Sequence, residues 1–114
     1  MKRVEALGEF ELSVLLAVAH QGEGAYGVSI RHEIEARTQR EVSIGALYTA
    51  LDRLEHKGYI RTTTSEPSPQ RGGRSKRLVH LTTAGVAALR RSRELMDRMW
   101  AGLAPARLRP ARQR

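Results

Sequence analysis

At 114 residues with a formal net charge of +8 and no cysteine, the chain suits one domain around one core, without disulfide frameworks, thiolate metal sites or cysteine nucleophiles. No apolar run is long enough to cross a bilayer, and the stretch Met1–Glu9 carries acids before any apolar run develops, so no secretory signal is read and a cytoplasmic location is expected. The positive excess favours a polyanion such as DNA, RNA or an anionic membrane surface, but Arg107, Arg109, Arg112 and Arg114, half of the net charge, lie in a tail with Pro105 and Pro110.

From Glu9 to about His20, Leu12, Leu15, Leu16 and Ala19 follow the i, i+3, i+4, i+7 pattern of an amphipathic helix, and Phe10, Val14 and Val18 make a second stripe. A helix apolar on two faces must bury both, in the core or against a second subunit. The glycines of Gln21-Gly22-Glu23-Gly24 break the pattern. Tyr26, Ile30 and Ile34, spaced by four, mark a second helix with Arg31, Glu33, Glu35 and Arg37 on its wet side. After Thr38-Gln39-Arg40-Glu41, Ser43 can cap a third helix whose buried stripe is Leu47, Leu51 and Leu54, with Ala50 alongside and Gly58 placed to end it. Tyr59–Thr64 is β-branched and aromatic and predicts a strand. Pro67, Pro69, Gly72 and Gly73 make a loop in which Arg71, Arg74, Lys76 and Arg77 cluster, and Lys76–Leu81 predicts a second strand. Thr82 or Thr83 can cap a last helix from Ala84 to about Gly102, where Val86, Leu89, Met96, Trp100 and Leu103 keep heptad-like spacing interrupted by Arg93. That stripe calls for a partner. The Arg/Pro/Ala tail is expected to lack fixed structure.

Three helices, a β-hairpin with a basic tip and a closing helix form a mainly α winged helix-turn-helix with one added carboxy-terminal helix. Residues 1–83 are the expected DNA-binding unit, 84–104 a dimerisation helix and 105–114 the basic tail. In this architecture the third helix enters the major groove, the groove wide enough for a helix and the one with a distinguishable pattern of base edges. Opposite its buried stripe lie Ser43, Gly45, Ala46, Thr49, Arg53 and His56, with Tyr48 at the border. Small residues at 45 and 46 let the backbone approach closely. Thr49 can meet a thymine methyl or a base edge, Arg53 a phosphate or guanine, and the Tyr48 hydroxyl a phosphate oxygen. Arg71 and Arg74 suit a minor groove, with Lys76 and Arg77 on the backbone.

The stretch Ser43–Ile60, with Gly45, Leu47-Tyr48, Leu51, Leu54 and Gly58-Tyr59-Ile60, resembles the signature of the PadR family of bacterial transcriptional regulators. Leu81-Thr82-Thr83-Ala84-Gly85 is similar to the family's L-T-x-x-G after the wing, and Tyr26-Gly27 to its pair at the second helix; Leu78-Val79 departs from the usual aromatic pair. The resemblance implies a homodimer in which the last helix packs on the partner's first, involving Phe10, Val14, Val86, Leu89, Met96, Trp100 and Leu103. It also implies the short subfamily with a single carboxy-terminal helix, a repressor role on a near-palindromic operator, and release by a small molecule or another signal. Flat aromatic ligands held at the dimer interface in some members of that subfamily make Met96, Met99 and Trp100 the effector contacts it suggests.

No catalytic constellation is found. His20, His32, His56 and His80 lack metal-binding spacing, so no metal or other cofactor is expected; serines lack a nucleophile-elbow setting, and the glycine-rich wing lacks a phosphate-loop signature. A basic RNA-binding or ribosome-associated protein is the alternative, supported by the tail and net charge alone.

Overall fold

The computed structural model describes residues 7–65 and 76–112. Its elements are α1 (Glu9–Gln21), α2 (Gly27–Thr38), α3 (Ile44–His56), β1 (Ile60–Thr64), β2 (Arg77–Leu81), α4 (Thr83–Trp100) and a single 3-10 turn at Pro105–Arg107. The order is that of a winged helix followed by one further helix, as the hydrophobic periodicity predicts.

The core is built where the stripes of three helices meet. Val14, Leu15 and Val18 of α1, Ile30 and Ile34 of α2, and Leu47, Leu51 and Leu54 of α3 are buried together with Ile60 and Val79 of the hairpin. Side chains of this size each stabilise by about 1.5–3 kcal/mol when fully buried. Of the two stripes expected on α1, Phe10, Val14 and Val18 turn inward, whereas of the other stripe Leu15 is buried, Leu12 is half-buried, and Leu16, 43% exposed, and Ala19 face outward.

Local signals at α3 act as expected. Ser43 Oγ accepts the Ala46 N–H at 3.1 Å. At the other end Gly58 adopts φ +80°, its N–H donates to Glu55 O at 3.0 Å, and the Tyr59 N–H donates to Leu54 O at 2.9 Å. This paired closure of the last turn needs a left-handed residue, which glycine supplies with little strain.

β1 and β2 pair antiparallel, from Ile60 opposite Leu81 to Thr64 opposite Arg77. Helical spacing puts Tyr26 at the head of the second helix. In the structure it is extended and bridges Leu78, while the Val79 N–H donates to Ala25 O at 2.8 Å. Ala25-Tyr26 therefore lies along β2, a role that spacing by four cannot reveal. Leu78-Val79 fits this position without aromatic residues, since Val79 is 1% exposed.

The junction to α4 explains the Leu-Thr-x-x-Gly stretch. Thr82 Oγ1 donates to Gly58 O at 2.6 Å and accepts the Gly85 N–H at 3.0 Å, capping α4 on the end of α3. Gly85 sits against the Tyr59 carbonyl so closely that a methyl group there would overlap its oxygen and lie 2.8 Å from Leu81 Cδ1. Beyond this knot α4 buries only Ala88. Every residue from Arg93 to Arg112 is exposed, so the second half of α4 leaves the body.

Candidate nucleic-acid interface

The helical period of α3 turns Leu47, Ala50, Leu51 and Leu54 inward and leaves Ser43, Gly45, Ala46, Tyr48, Thr49, Arg53 and His56 exposed. No atom lies within 4 Å of where a Cβ would stand on Gly45, so this part of the helix backbone is bare. Arg53 makes no ion pair among the described residues. Asp52 is exposed on the same side, at the i, i+4, i+7 spacing from Gly45 and Thr49.

The helix is held at both ends by the first turn of α1. Glu9 Oε1 accepts from Arg40 Nη1 at 3.1 Å just before α3, and Glu11 accepts from Lys57 Nζ at 2.9 Å just after it. The second pair is half hidden, with side chains 12% and 17% exposed, and Glu11 also accepts the Gly8 N–H at 3.4 Å. An ion pair withdrawn from solvent is screened less than a surface pair, so Lys57–Glu11 fixes α3 more firmly than Arg40–Glu9.

The wing is fastened to α3 by one carboxylate. Glu55 Oε1 accepts from Arg77 Nη2 at 3.0 Å on β2, and Glu55 Oε2 accepts from Thr62 Oγ1 at 2.8 Å on β1. Arg77 also lies 3.5 Å from Asp52. Spacing alone assigns Arg77 to the DNA backbone; here its guanidinium instead answers two carboxylates of the chain. Lys76 differs, with Nζ 3.9 Å from the centre of the Tyr26 ring, which holds the ammonium in place by cation–π attraction, and it makes no ion pair among the described residues. Arg71 and Arg74 lie outside the described residues.

A cleft of about 340 Å³ opens between these parts, lined by Tyr26, Gly27, Val28, Tyr48, Lys76 and Arg77 among others. A Cβ on Gly27 would come within 2.8 Å of the Tyr48 hydroxyl, so the glycine makes room for the phenol at the start of α2. A phenol O–H, an ammonium and the first turn of a helix are all donors suited to a phosphate oxygen.

Of the residues expected at a dimer contact, Phe10, Val86 and Leu89 are half-buried, and Met96, Trp100 and Leu103 are exposed. Val14, expected at that contact, is instead wholly buried in the core of its own chain and has no surface to offer. Leu16 and Leu95, absent from that set, are 43% and 53% exposed. Among the described residues no group of three or more His, Asp or Glu could hold a metal, and no helix is long and apolar enough to cross a membrane.

The model of the transcriptional regulator PadR-like family matches residues 15–91, from α1 through the wing into α4. The chain belongs to the PadR-like family. Membership sets it among transcriptional regulators that bind DNA and not among enzymes. Three solved structures share the fold. RosR of H. salinarum is 26% identical, with 89% of this chain and 84% of that one covered and a TM-score of 0.67. A PadR-like transcriptional regulator from Bacillus cereus is 22% identical over 79% and 82% at a TM-score of 0.65. F93 from STIV, a winged-helix DNA-binding protein, is 19% identical over 86% and 98% at a TM-score of 0.66. No curated protein matches the chain.

Proposed function

We propose that this PadR-like regulator acts in the cytoplasm as a homodimeric, sequence-specific repressor, its two α3 helices entering successive major grooves about 34 Å apart on a near-palindromic operator. The observation that carries this reading is the outward side of α3. Gly45, Ala46 and Thr49 are exposed there without a large side chain in the way. Thr49 and Arg53 read base edges, with Ser43 beside them. Tyr48 and Lys76 grip phosphates from the cleft, and Arg71 and Arg74 enter the adjoining minor groove. Arg77 contributes by holding the wing to α3 through Glu55.

The dimer is supported by the apolar surface that one chain leaves wet. Leu95, Met96, Met99 and Trp100 on α4 are 53–72% exposed, Leu103 38%, and Leu16 on α1 43%. A second copy that lays α4 on α1 covers these residues. Met96, Met99 and Trp100 then face a seam that admits a flat aromatic effector, whose binding shifts the spacing of the two α3 helices.

Quantitative binding to an operator duplex tests the assignment. Lys76→Ala should weaken binding to all sequences and reduce the dependence of log K on log salt by about 0.9 for each phosphate that is no longer neutralised. Thr49→Ala should alter base preference instead. An unchanged salt dependence in the first variant together with unchanged preference in the second sinks the reading.

A further inference from the structure

The net charge is not where the recognition helix is. Residues 84–114 hold eight arginines and no lysine against Glu94 and Asp97, so this last part of the chain carries +6 of the total +8. The winged helix before it is close to balanced, with acids such as Glu9, Glu11, Asp52 and Glu55 engaged by its cations. In α4 and the tail, Arg90, Arg91, Arg93, Arg98, Arg107, Arg109 and Arg112 are all exposed. Their one ion pair among the described residues is Arg93 with Asp97, at 3.9 Å and with both side chains more than 70% exposed.

We propose that the outer end of α4 and the tail form a second DNA-contacting surface, which grips the sugar–phosphate backbone of duplex DNA outside the half-site read by α3, without regard to sequence. Arg91 and Arg98 stand seven apart and share one side of α4. Arg107, Arg109 and Arg112 continue from them, past a 3-10 turn begun by Pro105. Proline removes a backbone donor and opposes an α-helix, so the tail keeps its guanidinium groups spread out. A duplex carries one charge per about 1.7 Å of axis, and cations spread in this way meet phosphates in any register. Arginine suits the task because its planar fork binds phosphate oxygens in pairs. α4 packs chiefly on α1, so these arginines belong to a different surface from the outward side of α3. The apolar side of α4 is given to the second copy, which removes the anchor a membrane-bound helix needs and favours DNA over lipid.

The inference rests on DNA being the partner, and the experiment separates the two readings. Binding of the full chain to a 30-base-pair duplex of random sequence is followed by fluorescence anisotropy as salt is raised. The triple variant Arg107→Ala, Arg109→Ala, Arg112→Ala should lower the slope of log K against log salt by up to about 2.7 per bound chain, and weaken binding at least about tenfold near 0.1 M salt, with its melting temperature unchanged. Its preference for operator over random duplex should stay unchanged, because a sequence-blind contact contributes equally to both. A slope unchanged in the triple variant overturns the proposal. So does arginine-dependent binding that is stronger to duplex RNA, or to vesicles of phosphatidylglycerol and phosphatidylcholine, at equal phosphate concentration. If Thr49→Ala leaves base preference untouched while the triple variant loses slope, the reading of α3 fails and this one stands.

Discussion

Adding one methyl group at Gly85 and one at Gly45 should have opposite effects on stability, for reasons visible in the structure. At Gly85 the methyl overlaps the Tyr59 carbonyl oxygen and stands 2.8 Å from Leu81 Cδ1. The oxygen belongs to backbone whose carbon closes β1 onto α4, and the Thr82 N–H also donates to it at 3.1 Å. The Leu81 methyl can rotate away but the backbone carbonyl cannot, so relief requires α4 to lift away. Overpacking of this kind costs about 2–3 kcal/mol. For a chain of this length 1 kcal/mol moves the melting temperature by about 4 °C, so Gly85→Ala should melt roughly 8–12 °C lower. At Gly45 nothing lies within 4 Å, and alanine removes backbone freedom from the unfolded chain. Gly45→Ala should therefore gain about 0.5 kcal/mol, near 2 °C, while losing affinity for DNA, because the methyl stands between the α3 backbone and the groove. Thermal unfolding at one fixed protein concentration, followed by circular dichroism, measures both. The reasoning is refuted if Gly85→Ala melts within about 2 °C of the parent, or if Gly45→Ala is the less stable of the two.

Leu16→Glu and Trp100→Glu should shift sedimentation velocity from dimer towards monomer at micromolar concentration with little change in helix content, since both side chains are exposed within one chain; two variants that sediment as the parent would place the contact elsewhere. Glu33 holds its carboxyl below the ordinary carboxylate value, first through its hydrogen bond from Arg37 and then through that from Gln21. A carboxylate with a lowered folded value stabilises at neutral pH and loses that contribution as pH falls through it. Glu33→Gln should accordingly flatten the acid side of the stability profile below about pH 4.5 and leave a smaller difference near pH 3 than at pH 7. Ser43→Ala, which removes the cap accepted from Ala46, should cost about 1 kcal/mol in urea unfolding and leave the midpoint slope unchanged.

Much of this architecture is legible in the chain because short-range physics governs it. Ser43 and Gly58 act within three residues of the groups they pair with, Thr82 caps the Gly85 N–H in the same way, and Leu47, Leu51 and Leu54 announce their buried face by helical period. What the sequence hides depends on distant partners. Tyr26 joins the hairpin because Leu78, 52 residues later, lies beside it. Arg77 is claimed by Glu55 across the gap between wing and helix. Val14 and Leu16 look alike as apolar members of α1, and only the position of α2 and α3 decides which is enclosed. Helical period alone marks the outward side of α3 as a surface, yet it does not tell that Asp52, with the same spacing, stands near a guanidinium of the wing.

Selection of bound duplexes from a random DNA pool tests the central claim most directly. The account predicts a near-palindromic consensus with half-site centres about 10 base pairs apart, relaxed at specific positions by Thr49→Ala. A pool that remains without consensus, while binding stays salt-sensitive, would contradict the assignment of α3 as the reading element.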